Sequence, residues 1–323
     1  MCWHSFLTVV SYWTSPIELR TSAGELGLTG GFWALDPFLE EARQAWSTES
    51  SVSDLARVEV SVAGCTDVGR KRQNNEDRLL VVDLNGQIIH DQPVEATIPL
   101  GSNGLLLAVA DGMGGHRSGE VASQLCIKTL PRVFLSALQT GDSGPTQAST
   151  VLVQAVETAS QVISDEAAQN PAHEGMGTTL TAALLRNMHV DVAQVGDSRA
   201  YMVRRETLTQ LTTDQTVANY MLAMHQELPP DSRVGEMLVQ AVGAQSNVDV
   251  VLTSSELENG DVLLLCSDGL YKAVSSSEIL ETVQGLVSLK AKAERLVARA
   301  NENGGPDNVT VILAEVRARA AQT

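Results

Sequence analysis

Three times in this chain an apolar, strand-like run breaks on an aspartate followed at once by glycine or serine. Residues 105–110 run into Asp111-Gly112, residues 190–196 into Asp197-Ser198, and residues 262–267 into Asp268-Gly269. Two further acidic positions stand ahead of such runs: Glu76-Asp77 before 79–84, and Asp307-Asn308 before 309–316. Any one of these is an ordinary turn, since Asp-Gly pairs are common where a strand ends. Five of them at sheet ends constrain the fold more tightly. Carboxylates gathered without a counter-charge repel one another and raise each other's pKa, so a fold that collects them calls for a cation. The glycines fit the same picture: Gly112, Gly114 and Gly115 let backbone approach closely, so that a main-chain carbonyl can join a ligand set. Met113 between them reads as a packing residue.

The donor type selects the ion. Carboxylates with no His or Cys at ligand spacing suit a hard cation with oxygen and water ligands, Mg²⁺ or Mn²⁺, rather than zinc. No calcium-binding loop of the EF-hand type is present in the sequence. The formal net charge of −17 argues against a general affinity for nucleic acid or anionic lipid, both of which are driven by lysine and arginine. Neither a nucleic-acid nor a membrane partner is expected.

From Arg57 onward the pattern is regular. Val58, Val60 and Val62 alternate with polar residues, the period of a half-buried strand. Further strands are predicted at 79–84, 105–110, 178–185, 190–195, 200–204, 251–254, 262–266 and 309–316. Helices are predicted over 118–138, interrupted at Pro131, and over 148–169. Two more follow at 276–286, behind a capping box at Ser275 and Glu278, and at 288–300. Strands in groups separated by long helices, rather than alternating one for one with them, predict antiparallel sheets covered by helices and not a doubly wound parallel fold. Neither a GxGxxG after a strand nor a GxxxxGK[ST] loop is present, so nucleotide binding by those routes is unsupported. Residues 212–247, around Pro229-Pro230, are polar and irregular with one helical stretch over 217–224. They read either as a flap over the sheet that shapes substrate access or as a plain surface loop.

The composition changes near residue 50. All four Trp and three of the four Phe precede it, and the polar run 47–54 follows. This divides the chain into a Trp-rich N-terminal extension and linker, 1–54, and a folded domain, 55–323. Phe38, Leu39, Ala42 and Trp46 fall at helical spacing after Pro37, which suits either a docking segment or an extension that the fold does not need. The apolar stretch 6–13 lacks a preceding basic region and is too short to span a membrane, so neither a signal peptide nor an anchor is expected. The four cysteines show no CxxC spacing, and Cys126 and Cys266 lie in apolar runs; they read as reduced core thiols of a cytoplasmic protein.

Taken in order, the runs Arg72-Gln73-Asn74-Asn75-Glu76-Asp77, Asp111-Gly112-Met113-Gly114-Gly115-His116, Gly177-Thr178-Thr179, Gly196-Asp197-Ser198-Arg199-Ala200-Tyr201, Ser267-Asp268-Gly269-Leu270 and Gly305-Pro306-Asp307-Asn308-Val309-Thr310 resemble the metal-dependent protein phosphatase family, type 2C. The Asp111 to Gly115 run is similar to that of its bacterial branch. The resemblance covers about residues 57 to 317. It implies an α+β fold: a central β-sandwich of two antiparallel sheets flanked by helices, four layers in the order αββα, with a binuclear metal site at one end.

Carried over position by position, the resemblance makes Asp111 the bridge between two Mg²⁺ or Mn²⁺ ions and gives Asp268 and Asp307 to the first. The Gly112 carbonyl with Glu76 and Asp77 serves the second, directly or through water, and Asp197 matches a third, weaker site. Arg72 matches the residue that binds the phosphate. The implied activity is dephosphorylation of phosphoserine and phosphothreonine by metal-activated water, without a phosphoenzyme. The implied partners are phosphorylated proteins, a Ser/Thr kinase or its substrates, met by a monomer. Met113 stands where the eukaryotic branch has histidine, which leaves the leaving group's proton donor open between a metal-bound water and His116. At 239–243 an arginine often found in the family is missing, a departure that touches the flap and not the metals. A non-catalytic phosphoprotein- or metal-binding regulator on the same fold is the alternative, although none of the carboxylates is missing.

Overall fold

The computed structural model describes residues 57–114, 118–140, 145–226, 233–245 and 247–319. The N-terminal extension, the helix read after Pro37, Cys2, Gly115 and His116 lie outside the described residues. The strands are β1 (Arg57–Asp67), β2 (Asp77–Asp83), β3 (Ile88–His90), β4 (Val94–Pro99), β5 (Leu105–Met113), β6 (Gly177–Thr178), β7 (Leu180–Arg186), β8 (His189–Val195), β9 (Arg199–Arg204), β10 (Thr207–Gln210), β11 (Val251–Glu256), β12 (Val262–Cys266) and β13 (Val309–Arg319). The helices are α1 (Ser118–Thr140), α2 (Pro145–Gln169), α3 (Val217–Ala223), α4 (Asp268–Tyr271), α5 (Ser276–Gln284) and α6 (Leu289–Glu302).

Two antiparallel sheets form, one in the order β10-β9-β12-β13-β1-β4 and the other β11-β8-β7-β5-β2-β3, with β6 paired to β5 beside that path. Strand alternation explains how they stack. On β5, Leu105, Leu107 and Val109 pack between the sheets with Leu79, Val81, Leu263, Leu265, Ile312 and Ala314. Leu106, Ala108 and Ala110 turn the other way, onto Ala122, Cys126 and Leu130 of α1 and Leu152, Val156 and Ala159 of α2. The first sheet's outer face carries Leu270, Ile279, Val283, Leu296 and Val297 from α4 to α6. The result is the expected α+β sandwich of four layers, αββα, in which the central strands are buried on both faces.

Differences from the sequence-based expectations have local causes. β3, β4 and β10 escape the pattern because all three are edge strands: β3 and β10 are short and largely exposed, and β4 turns only one face to the core. α1 runs through Pro131 without a break. Proline removes one backbone hydrogen bond there, and the apolar face from Ala122 to Phe134 buried on the sheet outweighs that loss. The run 178–185 divides at Thr179, whose N–H leaves the ladder to donate to the Asp111 carbonyl at 2.8 Å. The capping box at Ser275 and Glu278 forms as read, and α5 follows it. Met113, read as a packing residue, is 39% exposed at the end of β5.

α1 meets β5 at a glycine crossing. A Cβ on Gly112 would overlap the Gly119 carbonyl oxygen and lie 2.8 Å from that of Glu76, and one on Gly119 would lie 2.7 Å from the Gly112 carbonyl carbon. Backbone meets backbone, so neither side can yield. Gly112→Ala is expected to cost about 1–3 kcal/mol or more, seen as a lower urea midpoint at unchanged slope.

Candidate active site

The register of β2 and β5 places Asp77 directly opposite Asp111. Each continues the inward-facing series of its strand, Leu79 and Val81 in one case and Leu107 and Val109 in the other, one step past the apolar core. The opposite sheet ends in polar groups at the same place: Ser267 follows Leu263 and Leu265 of β12, and Thr310 leads into Ile312 and Ala314 of β13. Ser267 Oγ donates to Asp77 Oδ2 at 2.6 Å and accepts from the Thr310 N–H at 3.0 Å, so one hydroxyl ties the two sheets together. Asp268 opens α4 one residue beyond β12, after Ser267, and Asp307 is separated from β13 only by Asn308. Their loops are in contact, for a Cβ on Gly269 would overlap the Asn308 carbonyl oxygen.

Buried like charges leave a clear electrostatic mark. Burial lifts Asp77 to about 7; the charges of Asp268 and Asp307 add to it, and the nearby polar groups of Ser267 and Thr310 oppose it. Asp111 stands well above the ordinary carboxylate range, first through burial and then through Asp77, Asp268, Asp307 and Asp197. Burial and Asp268 raise Asp197 to about 6 against the pull of Lys272 and Tyr271. Glu76 is raised by burial, with Arg72 opposing. The carboxylates read from the sequence are therefore brought within reach of one another's fields.

Three donors now lie on these acids. Arg72 Nη2 sits 2.6 Å from Asp307 Oδ2, Lys272 Nζ 2.7 Å from Asp268 Oδ2, and Tyr271 OH donates to Asp197 Oδ2 at 3.2 Å. Among the described residues no three His, Cys, Asp or Glu side chains converge as they stand on a point that would hold an ion. Two oxygens of the set are nonetheless left open. Asp77 Oδ1 and Asp268 Oδ1 are buried without a hydrogen-bond partner, while the second oxygen of each is held by Ser267 or Lys272. An unpaired buried acceptor costs about 1–3 kcal/mol, which a cation bound to such an oxygen removes. An all-oxygen donor set matches Mg²⁺ or Mn²⁺.

Backbone contacts fix the rest. Thr179 Oγ1 accepts from the Asp111 N–H at 3.1 Å, and Thr178 Oγ1 donates to the Asp111 carbonyl at 2.9 Å. The Glu76 carbonyl accepts from Gly112 N–H and Ser123 Oγ at 3.2 and 2.6 Å. Asn308 organises the loop that carries Arg72: its Oδ1 accepts from Glu76 N–H at 2.8 Å, and its Nδ2 donates to the Val68 and Asn74 carbonyls at 2.9 Å. Asp197 lies at the side of the cage, between β8 and β9. Ser267, Asn308, Thr178 and Thr179 stand within the recognised runs, but their roles come from partners distant in sequence. Lys272 and Tyr271 were missed; the i, i+4 spacing of Asp268 and Lys272 on a helical turn was the available signal. The segment 212–247 is anchored at both ends. Gln215 N–H donates to the Gly196 carbonyl, and Thr178 and Val242 exchange backbone bonds of 3.0 and 2.8 Å, while Tyr220, Leu222 and Met237 between them are exposed.

The family described as protein phosphatase 2C matches residues 95–313. The serine/threonine phosphatase stp of Listeria welshimeri is 34% identical over 255 residues, 77% of this chain and 93% of that protein. Protein phosphatase PhpP of Streptococcus pneumoniae is 32% identical over 267 residues, 80% of this chain and 98% of that protein. Among solved structures, the catalytic domain of the serine/threonine protein phosphatase PstP in complex with two manganese ions aligns with a TM-score of 0.63 at 33% identity, over 80% of this chain and 99% of that one.

The raised carboxylates make stability depend on pH. Asp77 releases its proton at about 7 when folded and at about 3.9 when unfolded. Between these values the folded state holds more protons, so stability falls as pH rises through the window and is level above it. In EDTA the melting temperature is expected to fall between about pH 5 and about pH 7.5, and less steeply in Asp77→Asn. Added Mn²⁺ should raise it more at the higher pH, as thermal unfolding followed by circular dichroism will show.

Proposed function

Since the chain belongs to the protein phosphatase 2C family and is a protein serine/threonine phosphatase acting on phosphorylated proteins, we propose that it hydrolyses phosphoserine and phosphothreonine in a reaction that needs two divalent cations, Mg²⁺ or Mn²⁺. The observation that carries this reading is the pair of buried, unpartnered oxygens, Asp77 Oδ1 and Asp268 Oδ1, at the mouth of the sandwich. The two manganese ions of the similar PstP domain support it. Asp111 would bridge the ions, Asp268 and Asp307 would hold one, and Glu76, Asp77 and the Gly112 carbonyl would hold the other. When bound, such ions supply Lewis acidity that lowers the pKa of a coordinated water and offsets phosphoryl charge.

The protein's own groups prepare this site. Ser267 fixes the Asp77 carboxylate with one oxygen turned away from the hydroxyl. Thr178 and Thr179 hold the backbone of Asp111 from both sides. Arg72 binds the substrate phosphate: its side chain is 53% exposed, and a guanidinium has five N–H donors, so donors remain for two phosphoryl oxygens while Nη2 stays on Asp307. His116 remains a candidate proton donor outside the described residues. The complete acidic set and the activities of the similar proteins set the non-catalytic reading aside.

The catalytic domain is read as 55–323, working as a cytoplasmic monomer against a bacterial Ser/Thr kinase. The free thiols of Cys65, Cys126 and Cys266 support a reducing compartment, and burial pushes Cys126 up to about 12. Among the described residues no helix is long and apolar enough to cross a membrane.

Hydrolysis of a phosphothreonine peptide is expected to cease in excess EDTA and to return with Mn²⁺; full activity in EDTA overturns the reading. Asp268→Asn should reduce kcat/KM by at least about 10²-fold, and Arg72→Ala by about 10²–10³-fold, as for other groups that stabilise transition-state charge. Unchanged turnover in Asp268→Asn would show that the site is misassigned.

A further inference from the structure

The place where the resemblance puts a third, weaker cation is beside Asp197, and there the structure shows a cation of the protein's own. Lys272 Nζ lies 2.7 Å from Asp268 Oδ2 and 4.0 Å from Asp197 Oδ2. It reaches this position from the cap that follows α4, four residues after Asp268, so that both side chains rise from the same face of the turn.

The surroundings fix Asp197 beside it. Tyr271, the preceding residue, donates through its hydroxyl to the Asp197 carbonyl at 3.1 Å and to Asp197 Oδ2 at 3.2 Å. The Arg199 guanidinium lies 3.5 Å over the Tyr271 ring and is itself gripped by Asp214 through three hydrogen bonds of 2.6–3.1 Å. The side chains of Asp197 and Asp268 are only 9% and 14% exposed. The Lys272 side chain is 41% exposed, so its stem reaches in from the surface while its ammonium meets two largely buried carboxylates, where a second cation would meet its charge at close range.

We infer that Lys272 takes the third-cation place, so that this phosphatase loads two divalent ions and not three. The division of Asp268 makes this compatible with the cage: Oδ2 is committed to Lys272, while Oδ1 is buried and unpartnered. Asp197 then serves to position Lys272 rather than to bind metal. The inference rests on the reading of the cage as a two-cation site.

The test counts ions directly, by Mn²⁺ titration of the full chain with free Mn²⁺ followed by electron paramagnetic resonance. Two bound ions are expected in the unaltered protein and in Lys272→Arg, and three in Lys272→Gln. Asp197→Asn should still bind two. Melting in EDTA checks that each variant is folded, and Lys272→Met serves as a second neutral variant. Three ions in the unaltered protein, or two in both folded neutral variants, overturn the role of Lys272. No bound ions in the unaltered protein overturn the cation cage itself, so the two failures are distinguishable.

Discussion

One hydroxyl holds the working end of this protein together. Ser267 Oγ receives the Thr310 N–H and gives its own proton to Asp77, and so joins β12 and β13 of one sheet to β2 of the other where the apolar core stops. Without such a link, Asp77 and Asp111, opposite each other on adjacent strands, would have every electrostatic reason to splay apart. The Asn308 amide does the same service for the loop preceding β2. Both act between segments brought together only by the complete sandwich.

That dependence runs from packing to chemistry. Leucines, isoleucines and valines fill the space between the sheets and form two further cores beneath the helices. Their burial, at about 25 cal/mol per Å² of apolar surface, supplies the stability against which the buried acids are set. The strands that make the core also aim the carboxylates, because alternation continues past the last apolar residue. An acid one position earlier or later on β5 would face the α1 and α2 layer.

Much of this was legible in the sequence, for a physical reason. Central strands buried on both faces are continuous apolar runs, and an aspartate at the end of one stands out. The same reasoning could not see the edge strands β3, β4 and β10, which bury one face at most. It broke α1 at Pro131 because propensity is local and the sheet beneath the helix is not. It read Met113 as a packing residue, although the strand carries it beyond the core's edge to 39% exposure. The acids were visible one by one; their partners were not, since Ser267 and Asp77 are 190 residues apart and Arg72 and Asp307 are 235 apart. Lys272 was close enough in sequence to be noticed, but a lysine after a helical turn is ordinarily a surface residue.

The bonding of Thr178 sets a boundary on how such a protein can diverge. On one side its hydroxyl grips the Asp111 carbonyl, and on the other its backbone pairs with Val242, the buried end of the segment that begins near Asp214. Between those anchors, exposed residues such as Tyr220 and Met237 can drift, changing what the approach to the carboxylates admits while leaving the carboxylates in place. At Val242 that freedom ends, because a shift there passes through a single threonine to Asp111. Selection for new targets and selection for the reaction thus act on neighbouring stretches of one loop, divided at one residue.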